Sequence, residues 1–140
     1  MTEEHNIAIA GLGRIGTLFL EQVLESDCGL NVVCVLEVKD TPGRQLAEEK
    51  GIKVVDLDGL IQIGVGVDVV FDMTGSGSFR SKMQNKYEES FNSYTAIASP
   101  AIARLVWSFL SDEYLPSIHS SKHQAMVDSM LEQARAGILK

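Results

Sequence analysis

The sequence is short of several things, and each shortage closes off a class of function. Only two cysteines occur in 140 residues, Cys28 and Cys34, and they form no C-x-x-C pair. No second Cys/His group stands at zinc-finger spacing, so no structural metal is expected and two free thiols in a reducing compartment are the simplest reading. Cys34 lies inside the apolar run Val32-Val33-Cys34-Val35-Leu36 and reads as a core residue, whereas Cys28 sits in a loop and is more accessible. Lysine and arginine total 12 against 19 acidic residues, a formal charge of −7, and no basic cluster breaks that balance. Attraction to nucleic acid or an anionic membrane is therefore not expected. No apolar run reaches transmembrane length, and the acidic Thr2-Glu3-Glu4 is unlike a signal peptide, which makes a cytoplasmic location the default expectation. Neither a Ser-His-Asp arrangement nor a working pair of carboxylates stands out, so no catalytic residue can be named. The length suits one domain with a real core, and is too small for a cofactor domain plus a full substrate domain.

What is present is organised around Ile7-Ala8-Ile9-Ala10-Gly11-Leu12-Gly13-Arg14-Ile15-Gly16. A short apolar run reads as a buried strand and passes, through glycines spaced G-x-G-x-x-G, into a segment with helical periodicity. That is the context of a dinucleotide-binding turn. The first glycine permits the tight turn, the second lets a pyrophosphate approach without meeting a Cβ, and the third lets helix and strand pack closely. Phosphates would then sit on free N–H groups at the helix N-terminus, where the macrodipole favours negative charge.

The rest of the chain alternates strand and helix. Strands are expected over about 6–10, 30–37, 52–55, 67–72 and 94–98, and helices over 14–26, 44–50, 57–63 (a weak turn), 79–91 and 100–111. The second strand is almost continuously apolar, as suits a strand buried on both faces of a parallel sheet. The fold class is therefore α/β: a doubly wound parallel sheet of Rossmann type, with about five strands and right-handed crossovers. A dinucleotide-binding domain over 1–113 would be followed by a C-terminal helical extension over 114–140. There Val127, Leu131, Ala134 and Ile138 are spaced 4, 3 and 4 apart. Two readings of that helix stand open, packing back on the domain or pairing with another helix in a dimer.

Glu37 follows Gly11 by 26 positions, at the end of the second strand. An acid there accepts hydrogen bonds from the adenosine ribose hydroxyls and repels a 2′-phosphate, which favours NAD over NADP. Lys39 and Arg44 are cations that could serve a 2′-phosphate instead, and a solvated strand-end acid is the plainer reading of Glu37.

With these residues in hand, a family resemblance emerges. The turn Gly11-Leu12-Gly13-Arg14-Ile15-Gly16 resembles that of glyceraldehyde-3-phosphate dehydrogenase-like Rossmann domains. Two later stretches, Val69-Val70-Phe71-Asp72-Met73-Thr74-Gly75-Ser76 and Ala98-Ser99-Pro100-Ala101, resemble segments of acylating acetaldehyde dehydrogenases, homoserine dehydrogenases and dihydrodipicolinate reductases. The resemblance covers about residues 6–110. It implies that Thr74, Gly75 and Ser76 contact the cofactor, that Ser99 and Pro100 lie near the nicotinamide end, and that Arg14 lies over the pyrophosphate. Those dehydrogenases carry their catalytic residues on a second domain, and the acylating and phosphorylating members need a nucleophilic cysteine there. This chain has no cysteine after Cys34.

The expectation is thus an NAD(P)-binding domain of an oxidoreductase-like protein, with catalysis needing another domain or a partner. The alternative is a non-catalytic NAD(H)-sensing module that signals through its C-terminal helix; the turn also resembles that of the potassium-channel regulatory domain. A Rossmann scaffold without a ligand is the third reading. His119 and His123 share a helical face but lack a third ligand and read as solvated. Lys82, Lys86, Glu88 and Glu89 read as a solvated face. Trp107 reads as a core or subunit-contact residue in a helix too apolar for one buried stripe, so a homodimer is expected.

Overall fold

A computed structural model of the chain describes residues 4–111. The C-terminal helical extension expected over 114–140, the histidines at 119 and 123 and the boundary at 113/114 lie outside the described residues.

Five strands and five helices alternate: β1 (His5–Ala10), α1 (Arg14–Glu25), β2 (Leu30–Leu36), α2 (Pro42–Glu49), β3 (Lys53–Val54), α3 (Leu57–Ile63), β4 (Val69–Asp72), α4 (Gly77–Glu89), β5 (Ala96–Ala98) and α5 (Pro100–Leu110). A short 3-10 turn, Gly64–Gly66, links α3 to β4. All strand pairs are parallel, in the order β3-β2-β1-β4-β5, so β1 lies at the centre and the strand order reverses beside it.

Alternate residues of β1 serve two cores. Ile7 and Ile9 join Phe19, Leu20, Val35, Phe71 and Trp107 under α1 and α5. Ala8 and Ala10 face the other way, with Cys34, Val70, Met83 and Tyr87 under α3 and α4. Period-2 alternation with apolar residues on both faces is what a covered parallel sheet requires. Phe19 and Phe71 meet with ring centroids 5.0 Å apart, and Trp107 is a core residue, 6% exposed. Burial pushes the Cys34 thiol up to about 11, with the cation of Lys53 pulling weakly the other way. At neutral pH it is an inert packing group.

Several boundaries differ from the sequence reading. α2 starts at Pro42 rather than at 44, because Thr41 caps it by accepting the Arg44 N–H at 3.1 Å and Pro42 occupies a first-turn position where its missing N–H costs nothing. α4 starts at Gly77 because Ser76 caps it. It stops at Glu89, and Phe91 takes a φ of +61° while its N–H and that of Asn92 close on the carbonyls of Glu88 and Tyr87. β3 and β5 are shorter than expected, at two and three residues. Among the described residues, no helix is long and apolar enough to cross a membrane.

Candidate functional site

The three glycines of the turn are glycines for three different reasons. Gly11 has φ +91°, and a Cβ on it would stand 2.8 Å from the Thr74 amide nitrogen. A Cβ on Gly16 would stand 2.0 Å from the Gly11 carbonyl oxygen, so α1 could not pack on the turn. A Cβ on Gly13 would meet nothing within 4 Å. The fold needs the first and third glycines. Bareness at the second serves no contact within the described residues, and it keeps open the space in front of α1.

That space is bounded by a helix end that is itself left open. The first-turn N–H groups of a helix have no intrahelical partner. At α2, α3 and α4 the side chains of Thr41, Asp56 and Ser76 accept one of them. At α1 the capping position is Gly13, no side chain among the described residues supplies a bond, and no acid lies in the first turn. α5 also lacks a side-chain cap bond, but Pro100 in its first turn removes one of the donors.

Glu37, just past the end of β2, is aimed at the turn. Its Oε1 accepts the Leu12 N–H at 2.8 Å and its Oε2 accepts the Lys39 N–H at 3.3 Å. An ionised carboxylate has about four lone-pair positions, so both oxygens retain acceptor capacity. Arg44 donates from Nη1 to the Glu37 carbonyl at 2.7 Å and from Nε to Glu48 at 3.2 Å. It therefore braces the strand tip from behind.

Two cavities meet at this point, and Gly11, Glu37 and Thr74 line both. One, of about 390 Å³, lies against the end of α1 and is completed by Gly13, Arg14, Ile15, Gly16, Lys39 and Met73, among others. The second, of about 450 Å³, runs toward β3 and α4 and is walled by Leu36, Val55, Leu57, Phe79 and Lys82, among others. The structure thus brings Gly11, Gly13, Arg14, Ile15, Gly16, Glu37 and Thr74 together. Leu12 contributes its amide to Glu37 while its side chain is buried. Gly75 takes φ +68° in the β4–α4 loop, and the Ser76 hydroxyl caps α4 by accepting the Phe79 N–H at 3.1 Å. Ser99 and Pro100 stand at the β5–α5 junction and line neither cavity.

Three contributors escaped the sequence reading. Phe79 and Lys82 were not expected at the site, yet both line the second cavity, Lys82 while exposed as a solvated face implies. The spacing of Phe79, Met83 and Tyr87 by fours was the available sign of an inward face. Asp72, at the end of β4, is 0% exposed and carries a hydrogen-bond network discussed below. Among the described residues, no group of three or more His, Cys, Asp or Glu side chains is placed to hold a metal.

An open, all-parallel sheet with β1 central, the strand order reversing beside it, and a glycine turn leading from β1 into α1 defines a Rossmann-type domain. Solved structures with this architecture include apo scyllo-inositol dehydrogenase from Lactobacillus casei, 21% identical with a TM-score of 0.55 over 79% of this chain and 34% of that one. They also include S. aureus homoserine dehydrogenase, 13% identical with a TM-score of 0.53 over 80% of this chain and 31% of that one. The likeness is one of fold, and the chain spans about a third of the length of these dehydrogenases. No protein-family model matches the chain, and no curated protein matches it either.

Proposed function

We propose that this chain binds a nicotinamide dinucleotide, NAD in preference to NADP, at the turn formed by residues 11–16. The observation that carries the reading is the uncapped end of α1 facing the room that bare Gly13 leaves, with Glu37 held at its rim. A pyrophosphate fits against the free amides there, with Arg14 over it. The adenosine ribose falls to the remaining lone pairs of Glu37, and the apolar second cavity, with Phe79, suits the adenine. Engagement of Arg44 with the Glu37 carbonyl and Glu48 favours NAD, because it takes one cation away from a 2′-phosphate. Lys39 remains on the cavity wall and is the reason to test both cofactors. Thr74 borders the ligand, and Gly75, Ser76, Ser99 and Pro100 are assigned to it by resemblance alone.

The chain acts, in this reading, as the cofactor domain of an oxidoreductase-like protein whose acid, base or nucleophile comes from another domain or a partner. A homodimer is part of the proposal: Ile102, Leu105 and Phe109 lie exposed along one face of α5, Phe109 at 81%. A cytoplasmic setting suits the free thiols of Cys28 and Cys34. The second reading is a non-catalytic sensor of NAD(H) that signals through its C-terminal helix.

Titration with NADH and NADPH, followed by nicotinamide fluorescence, tests the proposal. Saturable binding with NADH the tighter is expected, and Glu37→Ala should weaken NADH about tenfold and narrow the preference. No binding of either at millimolar concentration would leave only a ligand-free scaffold. Turnover of small aldehydes or semialdehydes by the isolated chain would remove the sensor reading.

A further inference from the structure

Asp72 is a fully buried carboxylate that the turn, the helix end and Glu37 do not explain. Its Oδ1 accepts both the Thr74 N–H, at 3.1 Å, and the Thr74 hydroxyl, at 2.6 Å. Its Oδ2 accepts Arg80 Nε at 2.8 Å. The Thr74 oxygen in turn accepts the Ser76 N–H at 3.1 Å, and the Ser76 oxygen caps α4, the helix that carries Arg80. The bonds close a ring from the strand end, through the loop, into the helix and back. Stability alone does not call for a charge here, since apolar side chains in place of a buried ion pair are often as stable or more so. A carboxylate with three directed bonds does what an apolar group cannot: it fixes where Thr74 stands.

Thr74 is the residue whose backbone packs on Gly11 and which lines both cavities. The main chain just before it is pinned too, with the Met73 N–H donating to the Ala10 carbonyl at 2.7 Å. We infer that Asp72, sealed from the cavities, is a positioning residue for the ligand: by holding Thr74 through Oδ1 and α4 through Arg80, it sets the wall that joins the two cavities into one groove long enough for a dinucleotide. The inference rests on the dinucleotide reading above. It adds a residue that touches no ligand and yet controls the affinity for it.

The test is a double-mutant cycle read by NADH titration, with urea unfolding of each protein in parallel. Asp72→Asn keeps the shape but turns an N–H₂ toward one of its donors, and it should weaken NADH at least about tenfold. Thr74→Val removes the hydroxyl from the ring and should weaken NADH by a similar factor. The double variant should bind no worse than the weaker single, because both break one device. Thr74→Ser, which keeps the hydroxyl, should bind within about twofold of wild type, a rescue that loss of bulk stability would not produce. Wild-type affinity in folded Asp72→Asn, or losses that simply multiply in the double variant, would overturn the inference while leaving the dinucleotide reading standing. If Asp72→Asn does not fold, the threonine pair decides, and equal affinity of Thr74→Val and Thr74→Ser overturns it. Wild-type protein that binds neither NADH nor NADPH would sink the dinucleotide reading and this inference with it.

Discussion

The two ends of the sheet differ in how completely their polar groups pair: where the strands finish, Asp72 bonds Thr74 and Arg80, yet the glycine turn beside them stays open. At the end where the strands begin, the groups pair with one another. Asp68 accepts the Asn6 N–H at 2.7 Å and the Tyr94 hydroxyl, Asn31 donates to the Asn6 side chain at 3.0 Å, and the Thr95 hydroxyl donates to the Val67 carbonyl at 2.7 Å. At the end where the strands finish, α1 opens without a side-chain cap, Gly13 leaves its surroundings empty, and Glu37 keeps spare acceptor capacity. On the proposed reading, the difference separates residues that hold the fold from residues that would meet a ligand, even within one turn of six residues.

The strongest way to break this comparison is to put a methyl group on each glycine. Gly16→Ala should cost about 3 kcal/mol or more in urea unfolding, because its Cβ meets the Gly11 carbonyl and neither backbone can yield cheaply. Gly13→Ala should leave stability within about 0.5 kcal/mol and instead weaken NADH at least tenfold, since its methyl enters only the open space. Equal effects of the two substitutions on unfolding would erase the distinction.

A smaller effect is expected at the closed end. The Tyr94 hydroxyl, and after it the Asn6 amide, hold the Asp68 carboxyl below the usual aspartate range, and the same bond raises the Tyr94 phenol. The folded pKa of Asp68 thus lies below its unfolded value. Its contribution is complete above about pH 4 and is lost as pH falls through the folded pKa. For Tyr94 the sign reverses, with the contribution complete below about pH 10 and lost as pH rises through the raised value. Asp68→Asn should therefore be less stable than wild type at pH 7, with the gap closing toward pH 2, and should bind NADH within twofold of wild type. A large loss of NADH affinity would show that the two ends are not separate devices.

The smallest effect is expected between the ends. The Tyr87 hydroxyl is buried under α4 with no hydrogen-bond partner among the described residues, and burial, followed by the neighbouring Cys34, pushes its phenol up to about 12. Unlike the open groups of the glycine turn, it lines neither of the two cavities there. Tyr87→Phe should be neutral or more stable by up to about 1 kcal/mol in urea unfolding, with NADH binding unaltered.

Much of this division was legible in the residues. Apolar runs announced β1, β2 and β4, the G-x-G-x-x-G spacing located the turn, and the position of Glu37 beyond the second strand placed the acid that the structure aims at Leu12. What stayed hidden depends on partners distant in the chain or on signals that read two ways. Thr41-Pro42-Gly43 looks like a break, yet it is a cap, a first-turn proline and a close helix crossing, where a Cβ on Gly43 would stand 2.1 Å from the Thr17 hydroxyl oxygen. Asp72 looks like the ordinary end of a strand until Arg80, eight residues on, is folded back against it. The polar sequence of α4 masks Phe79 and Lys82 as cavity walls, since the opposite wall is supplied by Val55, Asp56 and Leu57, distant in the chain.

The central claim is that the bare end of α1 is a binding surface, and backbone amide NMR reads it most directly. Addition of NADH to uniformly ¹⁵N-labelled protein should shift the amides of Gly13, Arg14, Ile15 and Gly16 together with Leu12, Glu37 and Thr74, while Asn6, Asp68 and Thr95 stay in place. Unmoved turn amides at millimolar NADH, or shifts confined to the opposite end of the sheet, would contradict the account.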